Sequence, residues 1–152
     1  MGLKEQLKND LKTALKSGEQ FRTGILRLVL AALHNKEIEK HSRSSSDVLT
    51  EEEIIQVLTS EAKKRKESID IFRKGERPDL ADKEAQELLV IQNYLPEQLS
   101  NAEAEKAVHE ILKRTGVKDF GQAMKAVMKE LRGKADAKTV GDLVKKKLAL
   151  DG

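Results

Sequence analysis

The 152-residue chain is 38% hydrophobic and 36% charged, carries a net charge of +3, and has no Cys, no Trp and only 3% aromatic residues. The lack of Cys excludes disulfides, thiolate metal sites, iron–sulfur clusters and thiol nucleophiles, and the shortage of rings leaves little for base stacking. No run approaches the ~18 apolar residues of a membrane span, and the first six residues resemble neither a signal peptide nor a myristoylation signal, so a cytoplasmic setting is expected, or an organelle matrix after loss of a transit peptide.

Leu3, Leu7, Leu11, Ala14 and Leu15 recur every three or four residues, the stripe of an amphipathic helix ending near Ser17-Gly18, with Lys4, Lys8, Lys12 and Lys16 on another face. From about Glu19 to Glu39 a second helix holds Ile25, Leu26, Leu28, Val29, Leu30 and Leu33. Apolar residues on nearly every side predict a central helix packed on several neighbours. The polar, Ser-rich stretch from His41 to Asp47 is aperiodic and reads as a mobile loop.

Thr50 followed by Glu53 is a capping box, so a long helix starts there, with Ile54, Leu58, Ala62, Arg65, Ile69 and Phe72 inward and Gly75 as its close. Lys63-Lys64-Arg65-Lys66 cannot form one patch, because consecutive helical residues point about 100° apart. Arg65 lies on the apolar stripe and is expected to bury its stem while its head meets water or a carboxylate. Pro78 suits the first turn of a fourth helix bearing Leu80, Ala81, Ala85, Leu88, Leu89 and Ile91 up to Tyr94.

Pro96, in Leu95-Pro96-Glu97-Gln98-Leu99, cannot continue a helix and marks the expected boundary between a four-helix domain, 1–95, and a three-helix domain, 96–152. Ser100 with Glu103 caps a fifth helix carrying Val108, Ile111 and Leu112, with Gly116 past its end. Asp119 and Gln122 cap a short sixth helix with Phe120, Met124, Val127 and Leu131 inward, ended by Gly133. Asp136 caps the last, whose stripe is Val140, Leu143, Val144 and Leu148. Nothing alternates with the period of a strand, so the fold class is all-α.

The charge is unevenly placed: residues 1–95 hold 17 basic and 17 acidic side chains, whereas residues 96–152 hold 12 and 9. Within 118–147 nine basic residues face four acidic ones. Lys125, Lys129 and Arg132, at i, i+4 and i+7, share the helix face opposite Phe120, Val127 and Leu131, and with Lys134, Lys138 and Lys145 they form a cationic ridge suited to a polyanion. A merely solvated charged face is the competing reading.

Catalytic constellations are missing. His34, His41 and His109 are not paired at helical spacing with another ligand, so no metal is expected. Glu51-Glu52-Glu53 fits an acidic first turn complementing the helix dipole. Ser44-Ser45-Ser46 lacks the sharp Gly-flanked turn of a hydrolase nucleophile, and no glycine-rich phosphate loop exists, so no cofactor is expected.

Five segments taken in order carry a resemblance. Ile25-Leu-Arg-Leu-Val-Leu-Ala-Ala-Leu33, Leu49-Thr-Glu-Glu-Glu-Ile-Ile55, Lys63-Lys-Arg-Lys-Glu-Ser-Ile69, Tyr94-Leu-Pro-Glu-Gln-Leu99 and Arg132-Gly-Lys-Ala-Asp136 resemble the YqeY-like proteins of the GatB/YqeY family over essentially the whole chain. The resemblance implies a helical domain followed by a three-helix domain like the tail of the B subunit of glutamine-dependent tRNA amidotransferase, which helps hold tRNA. A similar pair opens some glutaminyl-tRNA synthetases.

The matching tail motif is Phe120-Gly121-Gln122-Ala123-Met124 with Arg132-Gly133-Lys134-Ala135-Asp136, where the family usually has Met and Lys at positions 120 and 122. The implied functions are a non-catalytic tRNA-binding accessory module, a helical adaptor for an amidotransferase or aminoacyl-tRNA synthetase, or a component of a carbon–nitrogen ligase using glutamine as amide donor. Independent amide transfer would need a glutaminase nucleophile, an ATP site and an ammonia route, and kinship of fold does not transfer that chemistry.

Overall fold

The computed structural model describes residues 2–46 and 48–151. Seven helices are found among them and no strand: α1 (Leu3–Lys16), α2 (Gln20–Arg43), α3 (Glu51–Lys74), α4 (Pro78–Gln92), α5 (Asn101–Thr115), α6 (Phe120–Leu131) and α7 (Ala137–Asp151). The chain divides into two compact units, Met1–Leu95 and Pro96–Gly152.

In the first unit α2 packs on α1, α3 and α4, and α3 pairs extensively with α4. Leu7 and Ala14 of α1, Ile25, Leu26, Val29 and Leu33 of α2, Ile54, Leu58 and Ala62 of α3, and Ile91 with Tyr94 make one aliphatic core. The Tyr94 hydroxyl donates to Asp10 of α1 and accepts from Arg22 of α2, tying the end of the unit to both helices. Burial and that carboxylate push the phenol up to about 12, so it stays a donor throughout the physiological range.

Two expectations differ from the fold. Leu15, Leu28 and Leu89, placed inward by periodicity, are exposed, because the stripes they belong to are wider than the neighbouring helices cover. Helix α2 does not stop at Glu39 but runs to Arg43, so His41–Arg43 are helical rather than loop, and the bend begins only at Ser44. Asp47, the last residue assigned to that loop, lies outside the described residues. The extra turn is held by an Arg43–Glu39 ion pair at 3.1 Å and by the Ser42 hydroxyl donating to the Glu39 carbonyl. Helix α3 closes at Gly75 as expected, with a negative φ there and the left-handed conformation one residue later, at Glu76 (φ 56°).

The Thr50–Glu53 capping box is present, and it does more than cap. Lys40 of α2 donates to the Glu53 carboxylate at 2.6 Å and to the Val48 carbonyl at 2.7 Å, so the box also closes the α2–α3 connection. Neighbouring Glu51 reaches sideways, accepting from the Leu3 amide at the start of α1. The Lys40 ammonium, then the Thr50 amide, lower the Glu53 carboxyl from 4.5 to about 2. Because the folded value lies below the unfolded one, Glu53 contributes its full stability above about pH 4.5 and loses it as pH falls toward 2. The stability advantage of the wild type over Glu53→Gln is therefore expected to shrink through that window, read as urea midpoints against pH.

The second unit has its own core: Val108, Ile111 and Leu112 of α5, Ala123, Val127 and Leu131 of α6, and Val140 and Val144 of α7. Its starts and stops follow the side chains. The Ser100–Glu103 box opens α5, Gly116 in the left-handed region (φ 68°) ends it, and Asp119 accepts from the Gln122 amide at 2.9 Å to open α6.

Candidate nucleic-acid interface

The geometry of the basic ridge is set by the hairpin of α6, a five-residue turn and α7. Gly133 sits in that turn at φ 78° and is buried, a conformation favouring glycine. Two segments far apart in sequence meet there. The Gln98 side-chain amide donates to the Gly133 carbonyl (2.5 Å), and the Leu99 amide donates to the Lys134 carbonyl (2.8 Å), so Pro96–Leu99 straps the turn carrying Arg132 and Lys134. No local pattern identifies Gln98 as a clamp, since its partner is 35 residues away.

Lys125 and Lys129 are exposed on the face of α6 opposite Val127 and Leu131, as their spacing requires. Arg132 departs from that face: α6 ends at Leu131, and Arg132, half-buried at φ −57° and ψ 127°, has left the helix. Spacing at i+7 from Lys125 requires one more residue of helix than the turn allows. Lys134 is exposed in the turn, and Lys138 and Lys145 are exposed on α7.

Lys138 and Lys145 stand seven residues apart, on one stripe of α7. That stripe borders α6, because the Lys145 ammonium lies 5.5 Å from the centre of the Phe120 ring. Phe120 itself, expected inward, is 40% exposed, because the α6 core is completed by Ala123, Val127 and Leu131 below it. Lys146 turns away toward α5, 3.8 Å from Glu105. Of the acidic residues in this stretch, Glu130 is paired with Arg114 of α5 and Asp119 accepts a helix-capping amide. Asp136 accepts from the Thr139 amide, and Asp142 is exposed on the stripe of Lys138 and Lys145, so the charged side chains facing solvent along the α6–α7 hairpin are mainly cationic with one carboxylate among them.

His34, His41 and His109 are exposed, and among the described residues no three His, Cys, Asp or Glu side chains come together as a metal site. His109 lines a groove between α5 and α7 with Val108, Leu143, Lys146 and Leu150.

A family match spans nearly the whole chain: the model described as Yqey-like protein covers residues 4–148. The chain belongs to the YqeY-like family. Its relatives include an uncharacterised protein of Schizosaccharomyces pombe, 35% identical over 65% of this chain and 76% of that one. The Kluyveromyces lactis protein named altered inheritance of mitochondria protein 41, mitochondrial, is 34% identical over 88% of this chain and 69% of its own. The Saccharomyces cerevisiae protein of the same name is 29% identical over 88% and 70%. These names correct the expected localisation, since relatives of this YqeY-like chain are mitochondrial and it cannot be assigned simply to the cytoplasm. The expectation rested on the lack of a long apolar run, and among the described residues no helix is long and apolar enough to cross a membrane, which leaves the compartment open.

Proposed function

We propose that this YqeY-like protein is a non-catalytic tRNA-binding accessory module that holds phosphates through its C-terminal unit. The observation that carries the reading is the solvent-facing set Lys125, Lys129, Lys134, Lys138 and Lys145 on one helical hairpin, with Glu130 drawn off to Arg114. Lysines spaced along two adjacent helices neutralise a phosphate backbone without reading bases in a groove, so affinity falls steeply with salt while sequence preference stays small. Gel shift of the full chain with tRNA from 50 mM to 400 mM salt tests it. A linear fall of log affinity with log salt is expected, and no complex at the lowest salt overturns the reading.

A second reading, a helical adaptor for an amidotransferase or aminoacyl-tRNA synthetase, is favoured by the outer face of α2. Phe21, Gly24, Leu28, Ala31 and Ile38 are exposed there with Asn35, spaced alternately by three and four residues like the seam of a coiled coil. Leu28→Glu abolishing co-purification of such an enzyme, with tRNA affinity unchanged, would select this reading.

A further inference from the structure

We infer that the exposed ring of Phe120, with the Lys145 ammonium over it, is a stacking site for one unpaired nucleobase. The inference rests on the RNA-binding reading above and narrows it to the structure the RNA must present.

Phe120 occupies the first position of α6, where the Asp119 cap fixes the backbone and leaves the ring at the helix end. It is the only aromatic residue of the second unit, and 40% of it remains exposed. The flank beside it is open: Gly121 carries no side chain, and a Cβ built there would meet only the Asp119 carboxylate, at 3.3 Å. That carboxylate accepts from the Gln122 amide. Exposed Lys118 precedes it in sequence.

Across the hairpin, Lys145 Nζ lies 5.5 Å from the ring centre. A flat π surface with a long, flexible cation over it suits one nucleotide: the ammonium swings from the ring to the phosphate as the base stacks in its place. Bases inside a duplex have both faces covered, so the site takes a base from a loop, bulge or end. Lysines along the two helices then hold the flanking backbone. With a single ring, only one base is gripped, and selectivity is for unpaired structure rather than for sequence.

The test compares a hairpin RNA having a seven-nucleotide loop with a continuous duplex of equal length, using the full chain. Phe120→Ala is expected to weaken hairpin binding roughly 5- to 150-fold, with the salt slope and duplex affinity unchanged. Phe120→Trp supplies a reporter in a chain without tryptophan. Its fluorescence is expected to be quenched by the hairpin and not by the duplex.

Undiminished hairpin affinity of Phe120→Ala, or equal quenching by both RNAs, overturns the stacking site and leaves the electrostatic reading standing. Failure of the wild type to bind either RNA overturns both. Where Phe120→Ala loses helicity, the quenching comparison decides alone.

Discussion

Replacing Glu61 and Glu87 together by glutamine is expected to lower the unfolding free energy by about 3 kcal/mol, measured by urea denaturation. Both carboxylates serve Arg65, which lies on the inner stripe of α3 with 12% of its side chain exposed. Its Nη1 donates to Glu61 Oε2 at 2.5 Å, whereas its Nε, buried without a hydrogen bond, is 3.7 Å from Glu87 Oε2. Removing the two charges leaves a guanidinium out of water with nothing to balance it, and that is the costly half of a buried ion pair.

The intact cluster is worth far less than this loss suggests, because desolvation consumes most of its Coulombic gain. Arg65→Met combined with Glu61→Leu and Glu87→Leu is therefore expected to fall within about 1 kcal/mol of the wild type. A double glutamine variant as stable as the wild type would show that Arg65 draws its compensation from solvent.

Acidification acts on this cluster in the opposite sense from Glu53. Burial first, then Glu84, raise the Glu87 carboxyl above its ordinary 4.5, against the pull of Arg65. A carboxyl more easily protonated when folded costs stability while ionised. That cost fades as pH falls through its raised value toward 4.5. The stability gap between the wild type and the double glutamine variant is expected to widen over the same range.

Much of this architecture is written locally. Thr50 with Glu53 and Ser100 with Glu103 announce their helices because each box is closed by residues three apart. Arg65 is legible as a stem laid along an apolar stripe with its head at a carboxylate, and Glu61, one turn earlier, supplies that carboxylate. Periodicity gives the direction of a stripe and not its width. Leu28 shares α2 with buried Leu26 and Val29, yet it projects past the neighbours that cover them. The Ser-rich stretch misled because Ser42 and Arg43 bond back into α2 through Glu39, where composition suggests only loop.

At the basic face the same distinction holds. Lys125 and Lys129 follow from helical spacing alone, whereas Arg132 does not, because the residue that decides its backbone is Gly133 next to it. The strap from Gln98 and Leu99 and the exposure of Phe120 are tertiary facts. Each depends on where α7 lies after the turn, which no window of neighbouring residues specifies.

Lys125→Ala, Lys129→Ala and Lys138→Ala combined are expected to reduce tRNA affinity by roughly two to three orders of magnitude at 0.1 M salt. The size follows from counterion release. Each phosphate neutralised contributes about 0.9 to the slope of log affinity against log salt, so it is worth nearly tenfold at 0.1 M and almost nothing at 1 M. Three contacts remove about 2.7 from the slope, and the variant and wild-type lines should converge near 1 M. Folding should be untouched: all three side chains are exposed, and alanine is the better helix former. Circular dichroism at equal concentration checks that point. A parallel loss at every salt concentration, with the slope retained, would assign the lysines to something other than phosphate contact. Arg132→Ala in the same series should change the slope less than any one of the three, because Arg132 stands off the α6 face and is half-buried at the turn.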